Sequence, residues 1–479
     1  MSFPGRSPLM RLRLAGPRPH APGLEPFLLT AQLALIVAAS VATAYLLVRS
    51  GDWRIAFGLF ALAGFVGLGL VRPAAFLSLF LLVRPVLDSA TESKLGPLNV
   101  SGALGLVAVG VLGALIVTSG RIHRPAATLP FAVVLVLSAF ACVPAFANFG
   151  GEIGSKPIGE LARLTALFGV YLLAANLVLS AERLKALFVV IGVSAVVPAI
   201  MGLDELIRGG EAASGLEVQR ITGPFTGPNA FGVFLAVTGL VLLSLPRRTV
   251  PMWLRAPSVA LILVALVGTY SRAGWALFVI GFVLLGWRER RGLVVAGAVA
   301  ITALVLLVPP VHDRVLPPKE SATASGRAIT PESYRFRLDT WAGLLEKWAE
   351  RPLVGYGLET TGQVNPRRVA TAPGESTGYD AHNSVVKLLV EGGVLLLAAY
   401  AALLIMIFRK LGRMARSQWS GRLLAQALLS IWTATLVIGL ATDDPLGATA
   451  TMYCLLALTG ALEGSFLRAR SRRAEPAAA

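Results

Sequence analysis

Charge is scarce in this chain. Only 14% of its 479 residues are Asp, Glu, Lys or Arg, where a soluble domain carries nearer a quarter. The charges are missing from long stretches, 55% of the residues are hydrophobic and the mean hydropathy is +0.72. That pattern excludes one soluble core and points to membrane spans. Cysteine is nearly absent. Cys142 and Cys454 are far apart, each inside an apolar run, so they read as small buried hydrophobes, not as a disulfide or a metal site. The four histidines, His20, His123, His312 and His382, form no cluster. Neither a metal nor a cofactor is therefore expected. Acidic residues are few beside basic ones, 26 against 43, for a net charge of +17. The excess does not imply a nucleic-acid partner. It sits in short clusters between apolar runs, as topology signals do.

Apolar runs long enough to cross a bilayer fall at 27–48, 55–71, 73–87, 100–118, 128–148, 159–180, 186–207, 228–245, 257–271, 273–287, 292–310, 384–408, 423–441 and 448–467. They predict an all-α polytopic membrane protein of about 14 transmembrane helices, with about twelve as the lower bound. The divisions at Arg72-Pro73 and Ser271-Arg272 are the weakest. The run at 27–48 is too long for a signal-peptide core and reads as an uncleaved first span. The chain thus divides into a basic tail (1–26), a bundle of about eleven helices (27–310), a large loop (311–383), C-terminal spans (384–467) and a second tail (468–479). Placing the N-terminus in the cytoplasm puts about 24 of the 43 basic residues inside and about six in the short outer loops. The positive-inside rule then sets both termini in the cytoplasm and the large loop outside.

The large loop is the one polar connection of any length, so a site outside the bilayer has room only there. Within it, Thr330 can cap a helix whose first turn holds Pro331 and Glu332. Tyr334, Leu338, Trp341, Leu345 and Trp348 then recur at helical spacing as one apolar stripe. The stripe suits packing on the bundle, or lipid at headgroup level. Arg351-Pro352 ends the helix and Gly355-Tyr356-Gly357 makes a turn. Arg335 and Arg337 flank the stripe on opposite sides. Their guanidinium groups offer paired donors to phosphate, or else sit solvated at the membrane surface. Tyr379 and Asp380 lead to His382 and Asn383 at the outer boundary of the next span. A histidine there can exchange a proton near neutral pH, although a lone histidine is more often structural.

Arg84, Arg163, Arg220 and Arg272 lie in or at the outer ends of apolar runs. Such residues mark either a ligand site or an ion pair with outer acids such as Glu160 and Asp204. Arginines, a histidine and no metal cluster beside lipid describe transfer of a glycan from a polyprenyl pyrophosphate. A transporter or flippase of such a lipid, and a peptidoglycan-type glycan polymerase, are the alternatives. The transporter should show internal repeats, and none is evident in the sequence.

Four local patterns resemble the O-antigen ligase / O-antigen polymerase family of bacterial membrane glycosyltransferases. They are Arg220-x-Thr222-Gly223-x-Phe225-x-x-Pro228-Asn229; Thr269-Tyr270-Ser271-Arg272-Ala273-Gly274; Arg337-x-x-x-Trp341 running to Pro352-x-x-Gly355-x-Gly357; and His382-Asn383 followed by Glu391-Gly392. The resemblance covers roughly 215–410. It implies a GT-C-like helical fold in a bacterial inner membrane, acting on the periplasmic face without metal or cofactor. The donor would be a glycan on undecaprenyl pyrophosphate, the acceptor a glycan or lipid-linked hydroxyl, and the displacement inverting. A chain-length regulator is a further candidate partner. By the same resemblance Arg272 and Arg337 would hold the pyrophosphate and His382 would serve the acceptor hydroxyl. Arg335, Arg220, Asn229, Asn383, Trp341 and Tyr379 are the expected substrate-binding residues.

Overall fold

A computed structural model of the chain describes residues 53–88, 94–95, 98–119, 122–208, 220–286, 292, 297, 331–366, 368–372, 375–378, 380–440 and 449–474. The helices in chain order are α1 (Trp53–Val71), α2 (Pro73–Val83), α3 (Val100–Ser119), α4 (Thr128–Phe149), α5 (Lys156–Leu177), α6 (Ala181–Val193) and α7 (Val196–Arg208). Then come α8 (Pro228–Ser244), α9 (Met252–Gly268), α10 (Arg272–Gly286), α11 (Pro331–Glu350), the short α12 (Thr361–Val364), α13 (Ser384–Arg416), α14 (Arg422–Gly439) and α15 (Thr449–Ala474). Among the described residues, six helical segments are long and apolar enough to cross a membrane, and six shorter apolar helices accompany them. The chain is a multi-pass helical membrane protein. The expected runs at 27–48 and 292–310 lie largely outside the described residues. The chain does break at both weak divisions: Pro73 opens α2, and three residues separate α9 from α10.

The bundle core is aliphatic and aromatic, from Phe76 and Phe80 on α2 to Leu458 and Leu462 on α15. Its tightest seam joins α5 to α15. A Cβ on Gly460 would stand 2.2 Å from the Tyr171 carbonyl oxygen, and one on Gly464 would stand 2.0 Å from that of Ala175. This Gly-x-x-x-Gly spacing lets two backbones touch where no hydrophobic effect drives helices together.

The polar segment before α13 adds one element and corrects one expectation. Beside its helices, β1 (Arg368–Ala372) and β2 (Glu375–Gly378) pair antiparallel. Pro373-Gly374 stands between them, a dipeptide that marks turns. The helix α11 does start at Pro331, but its packed face is not the predicted stripe. Leu338 and Leu345 are exposed, whereas Thr340 and Leu344 are buried. Leu344 clusters with Ala381, Val386 and Val390, and Trp341 and Trp348 pack against them. The spacing 337, 341, 344, 348 is therefore the face turned inward, and it carries Arg337 along with it. Arg337 was expected on a flank.

What fixes α11 to the bundle is a backbone seam. The helix α13 opens at Gly393, which adopts φ 64° and ψ −167°. The opening frees the carbonyls of Val390 and Glu391, which accept from the N–H groups of Tyr356 (2.8 Å) and Gly357 (2.9 Å). Across the break the Val394 N–H donates to the Pro352 carbonyl at 2.9 Å. A helix interrupted at membrane depth needs such outside partners. Gly393 and Gly355 both sit at positive φ with no room for a Cβ, 2.2 Å from the Leu353 oxygen and 2.5 Å from the Val390 oxygen. Gly393→Ala is expected to destabilise the protein by about 3 kcal/mol or more, from strain plus overlap. Gly412→Ala, on the same helix with its nearest contact at 3.6 Å, is expected to be neutral or to stabilise by about 0.5–1 kcal/mol. Thermal unfolding of the detergent-solubilised protein checks both.

Candidate functional site

The site is built from two braced turns. The first carries Arg272. The Arg220 guanidinium donates through Nε to the Thr269 carbonyl (3.0 Å) and through Nη2 to Asn229 Oδ1 (3.1 Å). Asn229 Oδ1 also accepts from the Ser271 hydroxyl at 3.1 Å. The Ile221 N–H donates to the Gly268 carbonyl at 3.2 Å, so the 220–229 segment is tied along the whole 268–271 turn. Tyr270 in that turn holds φ 46°, a strained value for an aromatic residue. Gly274 lets α10 lie directly on Gly232 of α8, where a Cβ would be 2.7 Å from the Gly232 carbonyl carbon. The turn thus starts α10 at one place, and Arg272 is its first residue.

The second turn carries His382, half-buried and at φ 47°. It is clamped from both sides. The Trp341 indole of α11 donates to the Ala381 carbonyl at 2.7 Å. Asn383 caps α13, its Oδ1 accepting from the N–H groups of Val385 (2.9 Å) and Val386 (3.2 Å). Its Nδ2 donates to the Leu440 carbonyl just past α14 at 3.0 Å. Three helices therefore set the backbone of one histidine.

The two turns meet through their arginines. Arg272 remains reachable by solvent, but nearby protein atoms and then the positive charge of Arg337 pull its guanidinium below the usual arginine range. Arg337 comes from α11 and Arg272 from α10, so two like charges from separate motifs act on each other. An anion between them would relieve the repulsion, and guanidinium groups bind phosphate oxygens in pairs.

Beneath the His382 turn lies an ionic cluster that sequence reading did not single out. Lys387, one helical turn into α13, donates to Glu359 at 3.0 Å and lies 4.0 Å from Glu391. The Thr361 hydroxyl donates to Glu391 at 2.7 Å. On α5, Arg163 pairs with Glu160, as its charge neighbourhood predicts. Glu160, Arg163, Lys387 and Glu391 line a cavity of about 30 Å³, room for about one water. The signal in the sequence was the i, i+4 pair Lys387 and Glu391 inside an apolar run. Arg84 likewise pairs within its own stretch, with Asp88 at 2.8 Å.

The structure therefore brings together Arg220, Asn229 and Arg272 in one group, and Trp341, His382 and Asn383 in another, with Arg337 bearing on the first. Arg220, Asn229, Trp341 and Asn383 were expected to bind substrate. Each commits polar atoms to holding a turn. Arg335 lies on α11, where only the backbone is described, and Tyr379 lies outside the described residues. Among the described residues no group of His, Cys, Asp and Glu could hold a metal ion. Trp341→Phe keeps the ring and removes the N–H. It is expected to cost about 1 kcal/mol and to speed amide exchange across residues 381–386 by roughly fivefold in hydrogen–deuterium exchange.

Residues 257–401 match the family model described as O-antigen ligase. The match takes in Arg272, Arg337 and His382 and leaves out Arg220 and Asn229. No curated protein and no solved structure matches the chain. Residues 257–401 are therefore similar to an O-antigen ligase domain, and helices able to span a membrane flank and include them.

Proposed function

We propose that the chain transfers a glycan from a polyprenyl-pyrophosphate carrier to an acceptor hydroxyl, on the outer face of a bacterial inner membrane. The reach of the Arg337 charge to Arg272, which starts α10 on the braced 268–271 turn, carries this reading. Two guanidinium groups so placed fit the leaving group of such a reaction, a pyrophosphate on which negative charge grows as its bond to the sugar breaks. The acceptor oxygen attacks the anomeric carbon, the bond from that carbon to the pyrophosphate oxygen breaks, and the acceptor proton passes to His382. Polyprenyl pyrophosphate leaves as an anion on Arg272 and Arg337. One direct displacement inverts the anomeric centre. Trp341, Asn383, Arg220 and Asn229 position the two turns, and Arg335 and Tyr379 are further candidates for sugar or phosphate contacts. Undecaprenyl pyrophosphate is the carrier expected in such a membrane, and a chain-length regulator is a partner to test.

The charges inside the bundle favour a second reading, a transporter of the same lipid, since intramembrane ionisable groups often line a path. Two facts weigh against it. Arg163 pairs with Glu160 and Lys387 with Glu359 and Glu391, and the cavity lined by Glu160, Arg163, Lys387 and Glu391 is only about 30 Å³. Movement of lipid-linked glycan across proteoliposomes without bond formation would favour transport.

The glycan profile of a strain lacking the chain tests the main reading. Loss of long glycans with single units retained means a polymerase. Long lipid-linked chains that accumulate mean a ligase. Complementation with Arg272→Ala, Arg337→Ala or His382→Ala, each shown to insert in the membrane, is expected to reduce transfer by about 10²–10³-fold. Arg337→Lys is expected to restore only part, because an ammonium lacks the paired donors. Full-length glycan from the Arg337→Ala and His382→Ala proteins would contradict the proposal.

A further inference from the structure

A second cavity lies at the far end of α13. Beyond the break at Gly393, residues 394–416 rise about 35 Å at 1.5 Å per residue, enough to cross the hydrocarbon core. The helix that starts beside His382 therefore ends at the opposite boundary, the face that charge counting assigns to the cytoplasm. There a cavity of about 300 Å³ opens between the end of α13 and the end of α15, lined by Ser417, Gln418, Trp419, Phe466, Ala469 and Arg470. That is the lower limit of ordinary ligand pockets.

Its walls are of two kinds. Trp419, buried, and Phe466 meet edge to face with centroids 5.4 Å apart. Gly421 lies against the Trp419 indole, where a Cβ would be 2.4 Å from the ring, so the indole has one seat. One cation, Arg470, lines the cavity, and others stand at the adjoining helix ends. Arg413 and Arg416 are exposed in the last turn of α13, Arg422 is exposed at the start of α14, and the guanidinium of Arg470 stands 6.0 Å above the Phe466 ring. Neither 409–422 nor 464–474 contains an acidic residue. Among the described residues no ion pair engages Arg413, Arg416 or Arg470.

Arginines that only orient a membrane protein need solvent, not a cavity. Here Arg470 lines a largely apolar recess between two spanning helices, and Arg416 immediately precedes Ser417 in its wall. We infer that this recess binds the headgroup of an anionic phospholipid, with the phosphate on Arg416 and Arg470 and the upper acyl carbons against Trp419 and Phe466. An anionic lipid is the one occupant at that depth with a charge for the rim and a chain for the floor.

The test uses the full-length protein in phosphatidylcholine nanodiscs, titrated with spin-labelled phosphatidylglycerol and, separately, spin-labelled phosphatidylcholine. The wild type is expected to hold the anionic probe selectively. Each basic residue at an anionic surface contributes roughly fivefold, so Arg416→Gln/Arg470→Gln should weaken binding by about 25-fold. Arg247→Gln/Arg248→Gln removes two exposed cations on the same face and should change it by less than about twofold. Ala469→Trp fills the recess without altering charge and should abolish selectivity, so the proposal stays testable if the double arginine variant fails to fold. Three results would overturn it: no selectivity in the wild type, equal losses in the two double variants, or displacement of the probe by millimolar inorganic phosphate. The last would mean a site for small anions rather than for lipid.

Discussion

The break in α13 at Gly393 is the constraint on which the rest of the site depends. A helix opened inside a membrane leaves carbonyl groups without partners. Here the 352–357 segment supplies the missing donors to Val390 and Glu391, and α13 returns a donor to Pro352. The 352–357 segment is thereby bonded to the membrane helix through main chain, at a seam too narrow for any side chain at Gly355 or Gly393. Because α11 enters that seam from one end and His382 stands at the start of α13, the seam sets the position of Arg337 relative to His382. Packing of Leu344 against Val386 and Val390 extends the same contact upward.

A fold held this firmly can keep an arrangement that is unfavourable by itself. Arg272 and Arg337 repel, and each is carried by an element with its own anchorage. The α10 start is braced by Arg220 and Asn229, and α11 is pinned by Trp341 and the seam. Strained φ values at Tyr270 and His382 fall on these two turns. Strain of that kind persists where the surroundings over-determine it, and it gathers at functional sites. The ionic cluster below the His382 turn serves the same end: Lys387 ties Glu359, itself at positive φ, back to α13.

Much of this was legible in the sequence. The helical membrane class followed from the scarcity of charge, and α11 from Pro331 and its periodic aromatics. Arg272 stood out as an ionisable group at the end of an apolar run, Arg337 as a guanidinium flanking an amphipathic stripe, and His382 as a histidine at a span boundary. What stayed hidden was of two sorts. Side-chain commitments cannot be read from residue type: Arg220, Asn229, Trp341 and Asn383 look like ligand groups until their partners within the protein are seen. Packing direction was the other. The apolar stripe through Leu338 and Leu345 and the stripe through Arg337, Leu344 and Trp348 overlap on one helix, and only the docking surface decides between them. The β1–β2 hairpin was missed because strands this short carry little alternation to detect.

The central claim is that Arg272 and Arg337 share one pyrophosphate. A double-mutant cycle on the affinity of the purified protein for a polyprenyl pyrophosphate tests it most directly. Arg272→Gln and Arg337→Gln are each expected to weaken binding by about tenfold or more. The pair together should lose clearly more or less than the product of the two, because groups that hold one ligand couple. Unchanged affinity in either single variant, or losses that simply multiply, would contradict the account.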